Sequence, residues 1–155
     1  MADLGDLART TLASNRFMVL GTVDPSGRPR VSPVWFSLVD HRDVYWLSSP
    51  AAHHSRNIAE RPEVSMVVFD SSVDPHTGQA VYLDATAGRV PDDELAASCL
   101  EAFRDVADAL SYTPETLQDE PFVLYRATVN AAEVHVRGRD VGDGSGSDQR
   151  VPVEL

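Results

Sequence analysis

Phe17-Met18-Val19-Leu20-Gly21-Thr22-Val23, Asp24-Pro25-Ser26-Gly27 and then Arg30-Val31-Ser32-Pro33-Val34-Trp35-Phe36-Ser37-Leu38-Val39 read as strand, turn and strand. Pro25 presets one backbone dihedral and Gly27 permits a positive one, which is the chemistry of a tight turn. The two apolar runs therefore form a hairpin. The second run is apolar on both sides. Val34, Phe36 and Leu38 alternate with Trp35 and Val39, and only Ser37 breaks the pattern. A strand buried on both faces suits a barrel wall, with core on one side and a second subunit or ligand on the other.

Residues 3–15 place Leu4, Leu7, Ala8 and Leu12 on one side of a short helix. Beyond the hairpin, Asp40-His41-Arg42-Asp43 is a turn and Val44-Tyr45-Trp46-Leu47 a third strand. A helix is expected from Pro50 to about Arg61, stopped by Pro62. Strands follow at 64–70 and 79–90, separated by a loop at 71–78 that holds Pro75 and Gly78. Leu95, Ala96, Cys99, Leu100, Phe103, Val106, Ala107 and Leu110 recur at helical spacing, which predicts a helix over 92–110. A sixth strand covers 122–128 and 133–136, interrupted at Asn130-Ala131-Ala132. The Gly-, Asp- and Ser-rich segment 137–149 reads as a flexible loop, and 150–155 as a closing edge strand. With no repeat and no linker, residues 1–155 form one mainly β (α+β) domain. The simplest architecture is a six- to seven-stranded antiparallel barrel with flanking helices.

Composition removes several function classes. The formal net charge is -11 and the sequence pI about 4.7, which argues against nucleic acid and against an anionic membrane surface as partners. All 13 basic residues are Arg. A chain without lysine has no Schiff-base nucleophile and no Walker-type phosphate loop. Cys99 is the single cysteine, so there is no internal disulfide and no thiolate metal cluster, and it reads as a small core residue. Glu133 and His135 share a strand face, but two ligands do not make a metal site, and none is expected. No Gly-x-Ser-x-Gly elbow is present. The N-terminus has neither a basic start nor an apolar segment, and no apolar run is long enough to span a membrane; a cytoplasmic location is expected.

The chemistry concentrates in Leu47-Ser48-Ser49-Pro50-Ala51-Ala52-His53-His54-Ser55-Arg56-Asn57. Ser49 is a candidate N-cap and Pro50 a candidate first helical residue. A helix start with free N–H groups, hydroxyls and imidazoles is a site for phosphate. Adjacent helix positions point about 100° apart, so His53 and His54 do not face one ligand equally. The plainer alternatives are solvated histidines, an Arg56–Glu60 surface bridge, and Trp35 and Trp46 as ordinary core or interface residues.

Several segments together resemble the pyridoxamine 5'-phosphate oxidase-like proteins: Arg16-Phe17-Met18-Val19-Leu20-Gly21-Thr22-Val23-Asp24 with Gly27-Arg28-Pro29 and Val31-Ser32-Pro33-Val34-Trp35-Phe36, then Tyr45-Trp46-Leu47-Ser48-Ser49-Pro50, then His54-Ser55-Arg56-Asn57-Ile58-Ala59 with Arg61-Pro62-Glu63-Val64-Ser65. The resemblance is best over residues 15–90. It implies an FMN-binding split β-barrel and a homodimer with the cofactor in a groove at the interface. Carried onto this chain, Ser48, Ser49, His53, His54, Ser55 and Asn57 would meet the phosphate and ribityl chain, with His54 at the position of the phosphate-binding basic residue. Pro33, Val34, Trp35 and Phe36 would run along the ring system. Gln79 resembles a glutamine that some relatives place near the flavin. Many relatives carry Arg-Lys where this chain has His53-His54. Some use the deazaflavin coenzyme F-420 in place of FMN, and a few bind haem. The implied function is flavin-dependent oxidation or reduction of a small molecule, with a deazaflavin-dependent reductase or a non-catalytic flavin carrier as alternatives. The basic residues with which the true oxidase holds its substrate are not recognisable near the C-terminus, so vitamin B6 oxidation is not implied.

Overall fold

A computed structural model describes residues 3–140 and 144–155. The chain runs α1 (Leu4–Ser14), β1 (Phe17–Val23), β2 (Pro29–Trp35), β3 (Ser37–Val39), β4 (Asp43–Ser48), α2 (His53–Glu60), β5 (Glu63–Phe69), β6 (Ala80–Arg89), α3 (Leu95–Ala102), α4 (Pro114–Leu117), β7 (Val123–Val136) and β8 (Gln149–Pro152). All the strand pairings are antiparallel, in the order β2-β1-β5-β6-β7-β4-β3, and β8 adds to β7. The expected barrel with flanking helices is the fold observed.

The hairpin opens the barrel as the turn chemistry dictates. Gly27 has φ of 85°, and the Asp24 carboxylate accepts from the N–H groups of Ser26 and Arg28 at 2.9 and 3.0 Å. The second expected strand, 30–39, is two strands. The break falls at Phe36, whose N–H donates to the Arg16 carbonyl at 3.1 Å instead of continuing a ladder. Phe36 itself is buried. The break lets β2 pair with β1 while β3 pairs with β4, so one bent segment belongs to both ends of the sheet. It also raises the strand number from seven to eight.

Alternation sorts the walls. Met18, Leu20, Val44, Trp46, Met66, Val68, Val81 and Leu83 point into one core, joined by Ala8 and Leu12 of α1 and Ile58 of α2. The opposite faces of β3, β4 and β7 supply Val39, Tyr45 and Leu124 to a second core with Cys99, Ala102 and Phe103. Trp46 is fully buried and stacks on Tyr125, with ring centroids 5.7 Å apart.

Three further expectations are corrected. The helix drawn over 92–110 is helical only from Leu95 to Ala102. Phe103 stacks on Trp35 at 6.1 Å and meets Tyr112 edge-on, which draws the chain off the helix axis into a single tight turn at Asp108–Leu110. Leu100 and Leu110, counted as inner positions by periodicity, are exposed. The sixth strand is continuous. Asp84 faces Ala131 and Ala85 faces Val129, so Asn130 is the extra residue of a bulge and not a gap. Within 137–149, Gly138–Asp140 forms a tight helical turn and Gln149 already belongs to β8; residues 141–143 of that expected loop lie outside the described residues. No helix of the described residues is long and apolar enough to cross a membrane.

Candidate functional site: the start of α2 and a cavity beside Gln79

The strand β4 ends at Ser48, and the chain turns before it becomes helical. The Ala52 N–H donates to the Ser49 carbonyl at 3.0 Å, and the Ala51 N–H to Ser49 Oγ at 3.2 Å. Ser49 therefore caps this turn. The helix begins at His53, with Ala52 as N-cap and no side-chain cap, a correction to the expected Ser49 cap and Pro50 start. The first N–H groups of α2 are thus left without a side-chain acceptor, the condition that favours an anion there. Ser55, at the third helical position, is 3% exposed, and its Oγ has no hydrogen-bond partner among the described residues. A buried hydroxyl without a partner is uncommon in a well-packed protein.

The two histidines are divided as the helical angle requires. His54 turns inward and bridges two strands that share no ladder. Its Nε2 lies 2.6 Å from Ser48 Oγ on β4, and its Nδ1 3.3 Å from Ser32 Oγ on β2. Burial, and then the neighbouring His53, push its pKa below the usual imidazole value, so the ring is neutral and one nitrogen donates while the other accepts. His53 is exposed, with Nδ1 3.4 Å from Arg56 Nη2. Arg56 approaches His53 rather than Glu60. Asn57 is 4% exposed and donates to Thr22 Oγ1 at 3.0 Å; it anchors α2 to β1 and faces the interior.

Because the folded chain takes up a proton on His54 less readily than the unfolded chain, stability is full at neutral pH. It declines as pH falls through about 6.5 toward the folded value. The wild-type melting midpoint should therefore drop more between about pH 7.5 and about pH 5 than that of His54→Gln, which keeps hydrogen-bonding groups but does not titrate. Parallel drops in differential scanning calorimetry would remove His54 as the source.

The remaining expected residues are dispersed. Val34 packs against the barrel core, Trp35 lies against Phe103, and Phe36 is buried. Pro33 alone of that run is exposed. Gln79 lines a separate cavity of about 660 Å3, together with Val67, Phe69, Tyr82, His135 and Arg137 among others. No residue of α2 lines it. The Gln79 Oε1 is buried without a partner among the described residues. Sequence reading missed Ser32, Tyr82, His76 and Arg137. Ser32 had a signal, being a lone hydroxyl between Val31 and Pro33; the others come together only through the pairing of β5, β6 and β7.

An apolar outer face runs beside that cavity. Register makes Val31 the partner of Gly21, Pro33 of Val19, Val19 of Val67, and Val67 of Tyr82. Phe17 is 62% exposed, Val31 72% and Phe69 44%, and the register puts all three on this one face of the sheet; clustered apolar exposure of this kind is a feature of interaction surfaces.

Comparison with known proteins places this architecture. Residues 4–135 match the family described as Pyridoxamine 5'-phosphate oxidase. The Heme oxygenase HutZ of Vibrio cholerae serotype O1 is 33% identical over 116 residues, which cover 69% of this chain and 61% of that protein. A solved heme binding protein from Mycobacterium smegmatis is 25% identical with a TM-score of 0.72, covering 98% of this chain and 59% of that one. A FAD-binding protein from Mesorhizobium loti shares the fold, with 20% identity and a TM-score of 0.64, covering 83% of this chain and 91% of the other. The chain thus spans about three fifths of the HutZ and M. smegmatis proteins. With the hairpin, the helix after β4, strands β1 to β6 and all but the last residue of β7 falling inside the matched span, the chain belongs to the pyridoxamine 5'-phosphate oxidase family.

Proposed function

We propose that the chain binds FMN as a homodimer and acts as a flavin-dependent oxidoreductase on a small molecule. The observation that carries this reading is the uncapped start of α2 beside the unpartnered Ser55 hydroxyl. A phosphate supplies the acceptors that those N–H groups and that hydroxyl lack. Ser49, His53 and Arg56 would hold it on the outer side. Neutral His54 would keep Ser48 in place and not act as the charge. The Gln79 Oε1 accepts from an N–H donor, and the imide edge of a flavin is such a donor. Since α2 does not line the Gln79 cavity, the second half of the site comes from another copy across the exposed face of β2, β1, β5 and β6. When bound, the flavin supplies reversible transfer of electrons to and from an organic substrate. The protein binds and orients it and excludes water, which fits a site with no strong acid–base pair. The deazaflavin coenzyme F-420 also carries a phosphate, and fits the same helix start.

A second reading has its own observation. His76 and His135 both line the 660 Å3 cavity, and imidazole is a ligand for haem iron. Two relatives named for heme favour testing it. Titration of the purified protein with FMN, riboflavin, reduced and oxidised F-420 and haemin distinguishes these cases. Saturable quenching of FMN fluorescence, with riboflavin at least about tenfold weaker, supports the phosphate-held flavin. A stoichiometric Soret band lost in His135→Ala, without flavin binding, replaces it with haem. Binding of no cofactor overturns both.

A further inference from the structure

The cavity beside Gln79 has two unlike walls. Val67, Phe69 and Tyr82 make one side apolar and aromatic; His135, Arg137 and Arg139 supply cation-capable groups to the other. This concentration of arginine stands out in a chain of net charge -11.

Arg137 is held in place. Its Nε donates to Asp140 Oδ2 at 2.5 Å and its Nη1 to the His76 carbonyl at 2.8 Å. A guanidinium has five N–H donors, so three remain for a ligand after these two bonds. Only 21% of the side chain is exposed, which strengthens a charge-assisted bond relative to one in open water.

The carboxylates around the cavity are already bonded. Asp140 holds Arg137. Asp148 accepts from His135 Nε2 at 2.9 Å and from the Gly138 N–H at 2.9 Å. Asp70 accepts from the N–H and hydroxyl of Ser72 at 2.8 and 2.6 Å. Arg139 makes no ion pair among the described residues and lies on the exposed rim. The Tyr82 ring is backed by Arg150, whose guanidinium carbon sits 3.6 Å from the ring centroid, so the aromatic wall is braced from behind.

We infer that this cavity selects a planar, unsaturated carboxylic acid, with its ring or double bond against Val67, Phe69 and Tyr82 and its carboxylate on Arg137 and Arg139. The fork of a guanidinium matches the two oxygens of a carboxylate, which a neutral amide of the same shape does not offer. The inference deepens the flavin reading by naming the substrate class of that site.

Benzoate and benzamide are suitable probes, because they differ only in the anionic group. Each is titrated calorimetrically into the wild-type protein and into Arg139→Gln, an exposed position whose replacement leaves the fold intact, and FMN is titrated separately. Benzoate should bind at least about tenfold more tightly than benzamide, and Arg139→Gln should remove about tenfold of the benzoate affinity with benzamide unchanged. Equal binding of the two probes, or an unchanged benzoate affinity in Arg139→Gln, overturns the inference whatever FMN does. If FMN fails to bind while benzoate keeps its preference and its dependence on Arg139, the cofactor reading falls and the carboxylate site stands.

Discussion

Replacing His53 by glutamate is expected to weaken FMN binding on the order of a hundredfold, with riboflavin affinity unchanged and the melting midpoint unchanged or slightly raised. Sign and size follow from the helix start. Ala52 leaves the first turn of α2 uncapped and no acidic residue sits in that turn, so a carboxylate at the first helical position interacts favourably with the dipole by about 0.3–1 kcal/mol. The same carboxylate faces a phosphate dianion. Losing a charge-assisted bond costs about 1.5–3 kcal/mol, and repulsion across a half-exposed site adds about 1 kcal/mol. A total near 3 kcal/mol is roughly two decades in Kd. Riboflavin lacks the phosphate and reports the rest of the site. Fluorescence titration of both ligands against both proteins makes the measurement. Equal losses for the two would mean a disturbed fold, and no loss for FMN would place the phosphate away from α2.

How far this site was legible from sequence depends on which physical constraint each residue obeys. Local rules located the hairpin. The Asp24-Pro25-Ser26-Gly27 turn and two apolar runs need only neighbouring residues, and β1 has the expected bounds, Phe17–Val23. The bend at Phe36 was hidden because it arises from a backbone bond to Arg16, across the hairpin. The chemistry of 47–57 was visible as composition, but its geometry was not. Ser49 and Pro50 have ideal cap and first-turn chemistry, yet they form a separate turn, and the helix starts three residues after Pro50. Which histidine faces out depended on that start. A shift of three residues turns a helical face by about 300°, and with it His54 points to Ser48 and Ser32. Asn57 reads as a ligand through the family resemblance; in the folded chain its amide donates to Thr22 Oγ1, a partner 35 residues away that no local pattern reveals. The Gln79 cavity joins segments far apart in sequence, and no local pattern announces such a meeting.

Mixing two defective variants is expected to restore about a quarter of the FMN sites. Within one chain, α2 and the Gln79 cavity are separate. If each site takes α2 from one copy and Gln79 from the other, a His53→Glu homodimer has a faulty helix start in both sites. A Gln79→Leu homodimer has a faulty ring contact in both. Random exchange makes about half of the dimers mixed. In each mixed dimer, one site collects both defects and the other collects none. At an FMN concentration below the Kd of either variant, the mixture should then bind about a quarter of the wild-type amount, while the separate proteins bind almost none. A site contained within one chain gives no recovery. The interface itself is tested by Phe17→Glu. That side chain is 62% exposed, so the charge does not disturb the fold of a single copy. Buried against a second copy, it would be an unpaired charge costing several kcal/mol per chain. Light scattering should show the mass halved, and FMN binding should be lost with the dimer. A monomeric Phe17→Glu that still binds FMN with wild-type affinity would show that one chain suffices. A dimer of unchanged stability would move the interface off this face.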